Sequence, residues 1–273
     1  MSYLTKSILI WIFSVIFTLS IAVYQRLTGP THPERGKVEL QGEEYRYRLL
    51  RSYGGPDDAP VKIKVPAEVE GSFTYRRYKS YDDWHTIPMQ RVGEELVAYV
   101  PHQPPAGKVE YKIELITPQA SINLTPDPII IRFKGHVPGY VLIPHIIFMF
   151  GAMLFSTRTG IEALIKGKHT FNYTTVTLIL LTLGGMILGP VVQKFAFGAY
   201  WTGWPVGHDL TDNKTAVAFL FWIIAFIRLR RNRQAYGWAI AASVVLLLVY
   251  LIPHSVMGSE IDHTKLEAPP ATS

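Results

Sequence analysis

Long apolar runs without charged residues constrain this chain more than any other feature of its sequence. The first, residues 7–24, is long enough with its flanks to cross a hydrocarbon core of about 30 Å at about 1.5 Å per residue. Because 48% of the residues are hydrophobic and cluster in such runs, a single soluble domain is excluded. The sequence predicts about five transmembrane helices, the other runs being 139–155, 174–192, 216–227 and 238–252.

Basic residues in two connections predict how the chain is threaded. Cytoplasmic loops are enriched in Lys and Arg, which here fill the second-to-third and fourth-to-fifth connections. Alternate threading then places the N-terminus in the cytoplasm, with residues 25–138, the loop 193–214 and the C-terminus on the other side. We expect a multi-pass protein of the inner cell membrane whose first helix is an uncleaved anchor rather than a signal peptide. The basic residues are Arg158, Lys166, Lys168, Arg228, Arg230, Arg231 and Arg233.

Between the first two apolar runs the hydrophobic period changes to two. Val61, Ile63 and Val65 alternate with lysines, and a second alternating stretch covers residues 109–115. Such alternation is typical of half-buried strands, and turns rich in Gly and Pro divide the region into about six or seven of them. The prediction is an α+β membrane protein in which an extracytoplasmic, all-β, immunoglobulin-like sandwich is inserted between helix 1 and helix 2.

These patterns divide the chain into four parts. Residues 1–27 are the N-terminal transmembrane anchor, and residues 28–136 are the extracytoplasmic β-sandwich domain. Residues 137–257 form a four-helix transmembrane domain that carries the aromatic outer loop 193–214. Residues 258–273 are expected to be a disordered C-terminal tail.

Composition excludes several kinds of chemistry. The chain has no cysteine, so disulfides, thiolate metal sites, thiol nucleophiles and Cys-x-x-Cys-His haem attachment are ruled out. The net charge of +6 is explained by basic residues beside membrane runs, facing the lipid bilayer, and no nucleic acid partner is expected. No catalytic motif appears in a suitable context, so a binding role is favoured over an enzyme.

A tetrapeptide that ends in histidine occurs twice, as Leu142-Ile-Pro-His145 and as Leu251-Ile-Pro-His254. Both histidines are predicted to lie near the outer ends of their helices, at similar depth. An ionisable side chain in that position either faces a cofactor, partner or polar cavity, or reaches water and lipid head groups. The sequence leaves both interpretations open.

The loop between the third and fourth helices is rich in aromatic residues. Tyr200, Trp201 and Trp204 are typical of an interfacial belt, where Trp and Tyr prefer to lie. Glycines at 198, 203 and 207 favour a folded loop that lays aromatic faces on a flat ligand. Belt and platform remain alternatives at this point.

His208, Asp209 and Asp212 form a polar cluster directly before the fourth helix. One interpretation is structural, with Thr211 or Asp212 capping the helix and the acidic residues favouring its positive N-terminal end. The other is a site for a divalent metal such as zinc or calcium, since His and carboxylates are suitable ligands.

The aromatic loop resembles a known motif. The string Ala196-Phe-Gly-Ala-Tyr-Trp-Thr-Gly-Trp-Pro205, which leads into a helix containing Trp222, is similar to the tryptophan-rich loop of the haem-handling membrane proteins of cytochrome c maturation. The resemblance is confined to residues 196–222, and Phe197 stands where the family has a leading Trp. The matching residues are Gly198, Tyr200, Trp201, Trp204 and Pro205.

In that family the loop lies outside the cytoplasm, and histidines in the flanking outer loops ligate haem iron. The resemblance implies that His145 and His254 are axial haem ligands. It also implies that Tyr200, Trp201 and Trp204 stack against the macrocycle.

Three functions follow as hypotheses. The first is a protein that binds or presents haem at the extracytoplasmic membrane face, in cytochrome assembly or electron transfer. The second is a non-enzymatic accessory or scaffold subunit whose β domain docks an extracytoplasmic partner while its helices pack in a larger membrane complex. The third is a component of metal or proton transport that uses His208 and Asp209.

Overall fold

Two units, one helical and one rich in β-strands, make up the part of the chain that the structure describes, residues 3–253 and 258–267. In this computed structural model the helical unit is Met1–Pro30 with Val137–Gly258. The β unit is Thr31–His136 with Ser259–Ser273. The β unit is therefore inserted between the first helix and the second, as the sequence predicts.

Four helices in the described residues are long and apolar enough to cross a membrane, which confirms a membrane protein of the α+β class. They occupy Leu4–Thr28, Gly139–Leu164, Thr170–Phe197 and Leu210–Arg231. The fifth apolar helix has 16 residues and is shorter than the other four. The helices are α1 (Tyr3–Thr28), α2 (Gly139–Leu164), α3 (Thr170–Leu181), α4 (Gly189–Phe197), α5 (Leu210–Arg231) and α6 (Tyr236–Leu251).

A π-helical segment, Thr182–Leu188, joins α3 to α4 within one continuous helix. A Cβ atom on Gly184 would meet the side chains of Phe148 and Met149 of α2 at 2.9 and 3.0 Å, closer than nearly all real Cβ contacts. Glycine therefore lets α2 approach this segment closely. Such π segments often mark functional sites.

Arg158 lies inside α2, not in the connection to α3 where the basic-residue pattern placed it. Its side chain is 1% exposed and contacts the Glu162 carboxylate at 2.6 Å. Its guanidinium group also lies 4.9 Å from the centre of the Tyr173 ring. Glu162, one turn later, neutralises the charge of Arg158, so the helix can continue past it. Of the three basic residues predicted for the connection, only Lys166 and Lys168 lie there.

The described residues of the β unit form three sheets. Strands β1 and β2 form a hairpin, β4, β8 and β7 form a second sheet, and the third has the order β3-β11-β9-β5-β6 with β10 also paired to β9. The strands are β1 (Glu34–Leu40), β2 (Glu43–Leu49), β3 (Ser52–Tyr53), β4 (Ala59–Lys64), β5 (Glu70–Arg77), β6 (His85–Pro88), β7 (Gln90–Val92), β8 (Glu95–Val100), β9 (Lys108–Ile116), β10 (Ser121–Asn123) and β11 (Ile129–Phe133).

One hydrophobic core lies among these sheets, and each contributes to it. Leu40 comes from the hairpin, Ile63 from the second sheet, and Phe73 and Tyr111 from the third. The two alternating stretches of the sequence are confirmed as half-buried strands, since their apolar members are all buried. The buried members are Val61, Ile63, Val65, Val109, Tyr111, Ile113 and Leu115.

Residues 259–267, the C-terminal segment, are hydrogen-bonded to the β unit. The Thr264 N–H donates to the Lys79 carbonyl at 3.1 Å, and Asp262 caps a short helix, α7 (His263–Leu266). This order differs from the disordered tail expected over 258–273, because charge pairs with distant strands hold the segment. Residues 268–273 lie outside the described residues.

We expect the Arg158–Glu162 pair to stabilise the helical unit. Replacing Glu162 with Ala leaves a buried guanidinium group without its counter-charge, which should lower the free energy of unfolding by about 3–5 kcal/mol. The measurement is thermal or denaturant unfolding of the purified protein in detergent. The double variant Arg158→Ala/Glu162→Ala should recover part of the loss, because no charge is left buried alone. If Glu162→Ala is as stable as the unchanged chain, the pair has no such role.

Candidate functional site

One end of the helical unit gathers the ends of α1, α4 and α6 and the beginnings of α2 and α5. The Gln25 amide donates to the Tyr250 carbonyl at 3.0 Å, which joins α1 to α6. The Gln193 amide donates to Asp212 at 3.1 Å, which joins α4 to α5. We call this region the aromatic end, since it carries the loop with Tyr200, Trp201 and Trp204.

His145 lies in the second turn of α2, against the π segment. Its Nδ1 atom is 2.9 Å from the Gly184 carbonyl oxygen, which also accepts the Gly189 N–H. A carbonyl only accepts hydrogen bonds, so Nδ1 must be the donor. In the neutral imidazole the lone pair is then on Nε2, which is the state in which a histidine binds a metal ion.

The last turns of α6 pack on the same part of α2. The Tyr250 hydroxyl donates to the Met149 carbonyl at 2.7 Å, and Met149 is one turn along α2 from His145. Tyr250 is four residues before His254 in the sequence. His254, the second axial ligand implied by the resemblance, lies outside the described residues.

The aromatic loop is folded and displays two of its rings. Gly198, with φ of 85°, ends α4 in the left-handed conformation that glycine adopts most readily. The Trp201 indole N–H donates to the Trp204 carbonyl at 3.1 Å. Tyr200 is 58% exposed and Trp204 76% exposed, so their rings are available to lipid head groups or to a ligand.

Asp212 holds this loop against the first turn of α5. Its Oδ2 atom accepts the backbone N–H groups of Thr202 at 2.7 Å and Gly203 at 2.9 Å. The neighbouring Asn213 accepts the Trp204 N–H at 2.6 Å. A Cβ on Gly203 would collide with Asp212, so glycine is required for this close approach. That these side chains position the aromatic residues is not predicted by the sequence, because the bonded groups are ten or so residues apart along the chain.

Asp209, not Thr211 or Asp212, caps α5. Its side chain accepts the Thr211 N–H at 2.8 Å, since the helix begins at Leu210. Among the described residues, no group of three or more His, Asp or Glu side chains is arranged to hold a metal ion. The metal site suggested for His208, Asp209 and Asp212 stays a prediction, and the two carboxylates accept hydrogen bonds from the loop and the helix.

A lysine that was not predicted as a site residue is buried at the aromatic end. Lys214 is 6% exposed, and its ammonium group donates to the Ile252 carbonyl at 2.5 Å. The signal in the sequence is one basic residue at the start of an apolar run. Its hydrogen bond joins the beginning of α5 to the end of α6.

His145 and the aromatic loop lie at different heights along the bundle. The His145 ring is 3.9 Å from where a Cβ on Gly189 would be, and α4 continues for eight more residues to Phe197. At about 1.5 Å per residue the loop begins about 12 Å along the helix axis from His145. The loop therefore lies nearer the end of the bundle than His145 does, rather than around His145 itself.

No protein-family model, no curated protein and no solved structure matches this chain.

We expect the Asp212 carboxylate to be needed for the shape of the aromatic loop. In Asp212→Asn a neutral amide oxygen replaces the charged oxygen that accepts both loop N–H groups, so these hydrogen bonds lose their charge assistance, at a cost of about 1–3 kcal/mol. The measurement is thermal unfolding together with tryptophan fluorescence. The matched control is Asp209→Asn, because Asn caps helices as well as Asp does. Equal effects of the two substitutions would contradict the role given to Asp212.

Proposed function

We propose that this protein binds haem at the aromatic end of its helical unit, with His145 as an axial ligand. The observation that supports the proposal is the hydrogen bond from His145 Nδ1 to the Gly184 carbonyl. Histidines that bind metals almost always donate their other ring N–H to a carbonyl, a carboxylate or water. This bond fixes the tautomer and the ring orientation that an iron ligand needs.

The other residues at this end fit the same role. Neutral imidazole is a common ligand of haem iron, and apolar aromatic side chains shield the macrocycle. The proposed second ligand is His254, and the proposed covering residues are Tyr200, Trp201 and Trp204. When bound, haem supplies a redox-active iron, while the chain's own residues bind it and restrict its contact with water. A binding or presenting role in cytochrome assembly or electron transfer therefore suits these residues better than catalysis.

The haem proposal is tested by the absorption spectrum of the protein purified in detergent from haem-replete cells. We expect a Soret band that His145→Ala removes or reduces at least tenfold. The matched control is His169→Ala, at the other end of the helical unit, which should keep the band. A colourless preparation of the unchanged chain, or equal bands in both variants, would contradict the proposal.

We further propose that the aromatic end and the β unit face the extracytoplasmic side, and that the chain crosses the inner membrane five times. The C-terminal segment is hydrogen-bonded to the β unit, so both lie on one side. An even number of crossings must then separate them. Three long helices lie in that interval, so α6 is the fourth crossing. Its 16 residues give about 24 Å, and flanking residues complete the span.

Support for an immunoglobulin-like sandwich in the β unit comes from its single core. Side chains of three separate sheets meet in that core, as they do where sheets pack face to face.

Topology can be tested cleanly because the chain has no cysteine. Asp57→Cys in the β unit and Lys265→Cys in the C-terminal segment should react with a membrane-impermeant maleimide on intact spheroplasts. Lys168→Cys in the α2–α3 connection should react only after permeabilisation. Protection of Lys265→Cys together with labelling of Asp57→Cys would show that α6 does not cross.

A second candidate function is an accessory subunit whose β unit docks an extracytoplasmic partner. It is favoured by β6, an edge strand whose four residues are all exposed. Such an edge can pair with a strand of another protein. A colourless preparation that copurifies with a stoichiometric partner would support this function over haem binding.

A further inference from the structure

Four basic side chains meet at one end of three neighbouring strands in the β unit. Arg77 ends β5, Lys79 follows it, Lys108 begins β9 and Arg132 lies in β11. Lys108 is directly opposite Arg132 in the sheet register, and the Tyr78 N–H donates to the Lys108 carbonyl at 2.9 Å. We call these four residues the basic face.

The C-terminal segment satisfies the basic face with two carboxylates and a carbonyl. Glu260 accepts hydrogen bonds from Lys79 and from Lys108, the latter at 2.5 Å. Arg77 binds both oxygens of Glu267, at 2.7 and 3.0 Å. Arg132 donates to the Ser259 carbonyl. Burial alone would raise the pKa of Glu260, but the hydrogen bonds from Lys108 and Lys79 outweigh it and hold that pKa below its usual range.

Backbone hydrogen bonds add recognition that does not depend on charge. The Thr264 N–H donates to the Lys79 carbonyl at 3.1 Å, and the Ile261 N–H donates to the Ala106 carbonyl at 3.4 Å. A segment bound in this way needs an exposed main chain and two acidic side chains at a fixed separation. These requirements are typical of a peptide-binding site. Isolated ion pairs on a surface would hold the acidic side chains without determining the conformation of the main chain between them.

Arg77 is also held by a residue of the β unit itself. Asp82 binds the guanidinium group through both oxygens, at 2.6 and 2.7 Å. Arg77 therefore keeps its position without the C-terminal segment. A bidentate pair of this kind orients the remaining N–H groups of the arginine for a second carboxylate.

We propose that the basic face is a recognition site for an acidic peptide segment, occupied in cis by residues 259–267. An acidic segment of another protein binds there after the chain's own segment leaves. A tethered segment has an effective concentration on the order of millimolar. A free peptide at micromolar concentration therefore competes poorly with it, and the intact chain keeps its own site closed. This inference does not depend on haem binding.

The test uses a fluorescent peptide with the sequence of residues 259–273, added to the protein in detergent. A chain that ends at Gly258 should bind this peptide at least tenfold more tightly than the full-length chain does. The same peptide with Glu260→Gln and Glu267→Gln should bind at least tenfold more weakly. A properly folded truncated chain that does not bind the peptide, or equal binding by both chains, would overturn the proposal.

Two variants of the full-length chain keep the test decisive if the truncated chain fails to fold. Glu260→Gln/Glu267→Gln should release the segment and increase peptide binding. Ala106→Cys/Ile261→Cys should form a disulfide in this otherwise cysteine-free chain and prevent peptide binding until it is reduced. Absence of the disulfide under oxidising conditions would show that the segment does not occupy the basic face.

Discussion

Lipid offers no hydrogen-bond partners, so the polar side chains of the helical unit depend on partners within the protein. Thr177 meets this constraint locally by donating to the carbonyl one turn earlier, at 2.8 Å. Arg158 meets it by pairing with Glu162 in the same helix. His145 meets it by donating to Gly184, in another helix. The first two solutions stabilise the bundle, and the third fixes an imidazole in a defined orientation.

The proposed site follows from that third solution. The π segment brings Gly184 close to α2, the helix that contains His145. Because Gly184 has no side chain, α2 can pack closely against it. Toward the aromatic end, Asp212 and Asn213 hold the aromatic loop by accepting hydrogen bonds from its backbone N–H groups. A loop whose backbone is fixed in this way keeps its aromatic rings exposed, and exposed rings can cover a flat ligand. Within the polar cluster before α5, Asp212 thus contributes to the site by holding the loop in shape.

Long-range charge pairs attach the C-terminal segment to the strands of the β unit. Glu260 and Glu267 connect the end of the chain to strands about 150 or more residues earlier in the sequence. The same contacts restrict the membrane topology, because a segment bonded to the β unit cannot lie across the membrane from it. Binding of the C-terminal segment to the basic face therefore also bears on how many times the chain crosses the membrane.

The sequence by itself determined the membrane helices, the insertion of the β unit and the buried positions of strands such as Val61–Val65, because hydropathy and its period are local properties. It also identified the residues of the aromatic loop. It could not determine that Arg158 lies inside a helix, that Asp212 positions the loop, or that the last described residues pack on the β unit. Each of these depends on a partner that becomes a neighbour only when the chain folds. Only the tertiary structure decided them, because hydrogen bonds and ion pairs require atoms to meet in space, whatever their separation along the chain.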